Sequence, residues 1–179
     1  MNAIPPSAVI TAFSDARDER LAARDLAQKL RHDNLGCVLF FCSIDYRLDR
    51  LAGALAEAFG DLPLCGCTSA GEITSRGYDS GTIVAIGFDR RFFSVGARLI
   101  ERLDGFSLAD AQQLTDSLLC ECRAASVARV DADNTFVLTL LDGLSVNEEL
   151  VLATLNSALG SITSLGGSAG DDYRLSGTY

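Results

Sequence analysis

One order of parts occurs twice along the chain. The first pass runs from the apolar stretch VLFFCSI to Asp45, then through a helix closed by Ala58-Phe59-Gly60, to the turn Gly66-Cys67-Thr68-Ser69-Ala70-Gly71-Glu72. The second runs from FVLTLL to Asp142, then through a helix closed by Ala158-Leu159-Gly160, to Gly166-Gly167-Ser168-Ala169-Gly170-Asp171, one residue shorter, with Asp172 next. Each half therefore reads strand, acid, helix, glycine, short strand, S-A-G, acid. Alternating strands and helices make the fold class α/β, a mixed sheet flanked by helices.

The remaining elements fit around that repeat. Ser7 to Phe13 predicts a strand. Residues 16–32 predict a helix, with Ala23, Leu26, Ala27 and Leu30 on one face and Ser14 or Asp15 as cap. Cys37 to Ser43 is apolar on both faces, as in a central strand covered by helices on both sides. Residues 45–59 predict a helix and Leu62 to Thr68 a strand. Thr82 to Phe88 and Phe92 to Ile100 predict two strands joined by Asp89-Arg90-Arg91. Three residues are too few for a parallel crossover, so 82–100 is expected as an antiparallel hairpin. Ser107 caps a long helix to Val127. Phe136 to Leu141 predicts a second buried strand, and Ser145-Val146-Asn147-Glu148 a capping box. Tyr78 and Gly81-Thr82 follow the first turn; Tyr173 and Gly177-Thr178-Tyr179 follow the second. By the repeat, Gly177 to Tyr179 begins a strand that would pair as Gly81-Thr82-Ile83 does. The chain is then expected to be part of a longer one, with an open edge that invites a second copy.

Charge narrows the partners. The chain of 179 residues has a net charge of −9, and 14 of its 15 basic residues are arginine. Without a basic run, nucleic acid and anionic membrane surfaces are poor partners. No apolar run suits a membrane helix, and the N-terminus has no basic-then-apolar export pattern, so a cytoplasmic location is expected. Cys37, Cys42, Cys65, Cys67, Cys120 and Cys122 are then expected as reduced, mostly structural thiols. Neither C-x-C pair has the spacing of a metal knuckle, and the one histidine is His32, so no metal is expected.

The octet Gly66-Cys67-Thr68-Ser69-Ala70-Gly71-Glu72-Ile73, reached from FFCSIDYRLDRL, resembles the N-terminal half of the FIST domain. Leu165 to Asp172 with Gly177-Thr178-Tyr179 resembles that family's later G-G-x-A-G-D-D…T-Y segment. The resemblance spans nearly all of residues 1–179 and implies an N-terminal FIST domain whose C-terminal half is absent. It further implies a bacterial cytoplasmic sensory module for a small ligand such as an amino acid. Its output partner would be a signalling protein such as a histidine kinase or cyclic-dinucleotide enzyme. Some members are similar to haem-based nitric-oxide sensors.

Glycine-rich turns after strands expose N–H groups, and Ser or Thr adds hydroxyl donors, which suits a carboxylate. Gly66 to Glu72 and Gly166 to Asp172 are the candidate ligand residues, with Glu72, Asp171 and Asp172 as acceptors for an ammonium group. The plainer alternative is that the glycines only permit tight turns and the acids face water. Asp45 and Asp142 read either as helix caps or as site residues; Arg76, Tyr78 and Tyr173 read as rim contacts. There is no G-K-[ST] and no dinucleotide G-x-G-x-x-G. Haem would need His32 or Cys67 as axial ligand. A cysteine enzyme would need Cys67 with a lowered pKa. A non-catalytic sensor without a cofactor is the leading expectation.

Overall fold

In a computed structural model, residues 7–126, 129–172, 174 and 177–179 are described. They form two compact units: 7–93 with 170–172 and 174, and 94–126 and 129–169 with 177–179. Among the described residues no helix is long and apolar enough to cross a membrane.

The first unit is a four-stranded sheet in the order β1-β6-β2-β3. Its strands are β1 (Val9–Ser14), β2 (Leu35–Ser43), β3 (Leu64–Ser69) and β6 (Ile83–Asp89). β2 and β3 are parallel, while β6 runs antiparallel to both β1 and β2. The sheet is mixed, as the sequence predicts. The helices α1 (Glu19–Lys29) and α2 (Leu48–Phe59) pack on one face of it. Side chains alternate along a strand, so Val38, Phe40 and Cys42 of β2 and Ile83 and Ala85 of β6 share that face. They meet Leu26, Leu30, Leu51 and Leu55 there. The expectation of one helix layer on each face of β2 is therefore not met by α1 and α2.

The hairpin expected over 82–100 does not form. β6 has both edges filled, by β1 and β2, so no edge remains for a returning strand. The chain also turns away after it. The N–H groups of Phe92 and Phe93 both donate to the Asp89 carbonyl at 3.0 Å, and the Arg91 guanidinium closes on the Asp89 carboxylate. Arg91 holds the Asp89 carboxyl down at about 2. Residues 92–100 are irregular. The hairpin that does form is β4 (Glu72–Thr74) with β5 (Gly77–Asp79), pairing Ile73 with Tyr78.

The second unit holds α3 (Leu108–Ala125), α4 (Glu148–Leu159) and a parallel pair, β7 (Phe136–Asp142) and β8 (Thr163–Ala169). Ser107 caps α3 in a reciprocal box with Asp110, as expected. The core here is small: Ala111, Leu141, Val151 and Leu155. β7 is not the buried central strand expected: among the described residues it has one neighbour, and Phe136 and Leu138 are 50% and 42% exposed. Gly177 to Tyr179 adds no strand, and the Thr178 hydroxyl instead donates to Asp142.

Several caps fall elsewhere than expected. Asp18, not Ser14 or Asp15, caps α1 by accepting the Leu21 N–H at 2.9 Å. α2 starts after Arg47 and α4 after Asn147, both without a side-chain cap, so neither Asp45 nor Asp142 caps a helix and the Ser145 box does not form. The repeat itself is present in the structure, with one residue more between β7 and α4 than between β2 and α2. α2 and α4 each have 12 residues, and each ends at a glycine with positive φ, 63° at Gly60 and 61° at Gly160. Gly66 lies opposite Phe40 in one parallel pair, and Gly166 lies opposite Thr139 in the other. A Cβ on either glycine would sit 2.3 Å from the facing carbonyl oxygen.

Candidate functional site

The first turn is held by Glu72. Its side chain is buried, and three donors surround the carboxylate. The Ser69 hydroxyl donates to Oε1 at 2.8 Å; the Thr82 N–H and hydroxyl donate to Oε2 at 3.2 and 2.9 Å. Because Ser69 ends β3, Glu72 opens β4 and Thr82 directly precedes β6, the carboxylate pins the hairpin to the sheet. Glu72 is thus neither solvated nor a free acceptor for an ammonium group. Gly71, with φ at 156°, lies under the Tyr78 ring: an added Cβ would meet the phenol oxygen at 2.0 Å. The Tyr78 hydroxyl donates to the Ala70 carbonyl at 2.8 Å.

Arg76 is likewise engaged within the fold. It bonds Asp15 at 2.9 Å and Asp79 at 3.0 Å, and its guanidinium lies over the Phe13 ring. It holds the Asp15 carboxyl below the usual carboxylate range. Tyr78 and Arg76 therefore brace the hairpin rather than offer free rim contacts. Tyr173 lies outside the described residues.

Of the second turn, Gly170 and Asp171 belong to the first unit. The Gly170 N–H donates to the Thr68 carbonyl at 2.9 Å, and a Cβ there would lie 2.9 Å from the Ala70 nitrogen. Asp171 is buried, so it does not face water. Gly166, Gly167, Ser168 and Ala169 belong to the second unit, where the Ser168 hydroxyl donates to Glu148. Asp172 is exposed, with φ at 57°. Asp142 accepts from the Leu144 N–H at 2.9 Å and from Thr178, and these bonds lower its pKa.

The C-terminal end of β2 carries the charged groups. Its last residue, Ser43, is buried and accepts the Asp45 N–H at 3.2 Å. The Asp45 carboxylate bonds the Arg174 guanidinium, and Arg17 lies 3.7 Å from its other oxygen. Asp45 and Arg174 are each about half exposed, at 47% and 48%. The same register sets Ser43 beside Ser69. Sequence reasoning found Asp45 but missed Arg17, Arg174, Ser43 and Thr82. Gly81-Thr82 stood out as a repeated pair, but nothing in the pattern tied that threonine to Glu72.

All six cysteines are free. Burial pushes Cys67 up to about 11 and Cys42 up to about 12, against the lowered value a cysteine enzyme would need at Cys67. His32 lies at the opposite end of the sheet. Its Nδ1 accepts the Asn34 N–H at 3.1 Å, and its Nε2 is 3.6 Å from Asp89, which pairs with Leu35. Cys67 pairs with Phe41, six residues further along β2, or about 20 Å at ~3.3 Å per residue. His32 cannot serve Cys67 as a base. Nor do these two side chains share a haem site: they lie about 20 Å apart along β2, and Cys67 is buried. Burial and the raised pKa both slow alkylation at Cys67. Iodoacetamide is therefore expected to label exposed Cys120 well before Cys42 or Cys67, as followed by peptide mass spectrometry.

The FIST N domain model matches residues 36–179, from β2 to the last residue described. The chain belongs to the FIST family. That family is a sensory and signalling domain. The matched span takes in both passes of the strand-helix-strand order and leaves β1 and α1 before it. A search of curated proteins finds no match.

Proposed function

We propose that this FIST domain is a non-catalytic sensor that binds a small zwitterion, an amino acid or close relative, at the C-terminal ends of β2 and β3. The half-exposed Asp45–Arg174 pair carries this reading. An amino acid presents a carboxylate and an ammonium group a few ångströms apart. Arg174 offers a planar fork for the first, and Asp45 offers acceptors for the second. Inserting such a ligand exchanges one exposed ion pair for two, at little cost, because a pair in water is worth under about 1 kcal/mol. Carboxyl ends of strands are the usual ligand position in α/β sheets. Here Ser69 and Ala70 lie at that end, held by Glu72. Buried Cys67 and distant His32 favour binding without chemistry. The event then passes to a signalling partner in the cytoplasm, a role that rests on the family's sensory character.

The test is a thermal-shift screen of the twenty amino acids, simple dicarboxylates and simple amines. An amino acid at 100 times its Kd is expected to add about 2.7 kcal/mol, read as a raised Tm. A flat response to every amino acid would refute the proposal.

A further inference from the structure

Among the described residues β7 carries half of the strand pairing that its counterpart β2 carries. β2 is bonded on both edges, to β3 in parallel and to β6 antiparallel, whereas β7 is bonded to β8 alone among the described residues. The matching glycines fix the correspondence: Phe40 answers to Thr139, so Leu39 answers to Leu138 and Phe41 to Leu140. In β2 the Val38 N–H donates to Pro63, on the β3 side, and the Ser43 N–H donates to Thr82, on the β6 side. The same alternation turns the N–H groups of Leu138, Leu140 and Asp142 toward the open edge of β7. On the face away from α3 and α4, Phe136, Leu138 and Leu165 stand 50%, 42% and 54% exposed. A two-stranded pair with an uncovered apolar face is marginal by itself and is a template for a further strand.

The charges say what kind of strand fits. Asp33-Asn34 precede β2 and Asp133-Asn134 precede β7. In the first unit, Arg90 follows β6 and docks on that loop: its N–H donates to the Asn34 carbonyl at 2.9 Å and its guanidinium to the Asp33 carbonyl at 3.0 Å. The loop before β7 bears Asp131 as well as Asp133. A second copy pairing β7 with β7 antiparallel would set those acids beside Asp142 of the other chain, a like-charge contact. We infer that the open edge of β7 receives an antiparallel polypeptide strand other than a second β7, one that alternates small and branched apolar residues and ends in basic residues. Its chemistry is that of Thr82–Arg91 in this chain. Main-chain bonds supply the affinity, and a basic end docking on the loop before β7, as Arg90 docks on the Asp33 and Asn34 carbonyls, sets direction.

The test uses the 179-residue chain and a synthetic peptide of sequence GTIVAIGFDRR, residues 81–91, followed by amide hydrogen exchange. The peptide is expected to slow the amides of Leu138, Leu140 and Asp142 at least about tenfold, and to leave those of Val137 and Leu141, already turned to β8, unchanged. A peptide carrying Arg90→Glu and Arg91→Glu is expected to lose that protection. No slowing, equal slowing by the reversed peptide, or protection that rises with protein concentration without peptide would each overturn the inference. The last would place a second copy on the edge.

Discussion

Gly66→Ala is expected to cost the first unit about 3 kcal/mol, measured by chemical denaturation. The added methyl would lie 2.3 Å from the Phe40 carbonyl oxygen and 2.6 Å from its ring. Neither can retreat: the carbonyl belongs to the central strand, and Phe40 is packed against the helix-side core. Relief requires the strands to part at the point where β2 and β3 present Ser43 and Ser69. Gly53→Ala is the control. Gly53 lies exposed in α2 with nothing within 4 Å of an added Cβ, so the same chemical change is expected to stabilise by about 0.5–1 kcal/mol. Gly166→Ala meets the Thr139 carbonyl at the same 2.3 Å and is expected to weaken the second unit in the same way.

Glu72→Ala is expected to be at least as damaging, about 3–5 kcal/mol, because it strips the acceptor from the Ser69 hydroxyl and from two donors of Thr82 at a buried point. Glu72→Gln should cost only about 1 kcal/mol. Its amide oxygen can still accept both Thr82 donors, and its NH2 can donate to Ser69 Oγ, whose proton is free to turn away. A large difference between the two variants in denaturation midpoint marks Glu72 as the pin of the hairpin. Equal losses would mean that the negative charge itself is needed.

The parts legible in the sequence were those written in short-range pattern. The helical stripe of Ala23, Leu26 and Leu30, the Ser107 cap and the twofold order of strand, helix and glycine all rest on neighbours in the chain. What failed depended on distant groups. Residues 92–100 have apolar character suited to a strand, but β1 already holds the edge they would need. Glu72 reads as an acid beside a turn, and only the return of Thr82 ten residues later makes it a buried acceptor. Asp45 was found because it follows an apolar strand. Its partner Arg174 lies 129 residues away in a loop with no periodicity to single it out.

The most direct measurement is calorimetric titration with the amino acid that gives the largest thermal shift, set against two analogues, one lacking the amine and one lacking the carboxylate. Asp45→Asn and Arg174→Gln are titrated beside the parent chain. Both analogues are expected to bind at least about tenfold more weakly than the amino acid, since each leaves one charge of the opened pair without a partner. Asp45→Asn should weaken the amino acid most and the deaminated analogue least, and Arg174→Gln the reverse. Because the pair is half exposed, both variants should keep their unliganded stability within about 1 kcal/mol. Undiminished binding of the amino acid to both variants, or of either analogue to the parent chain, would contradict a zwitterion site at the end of β2.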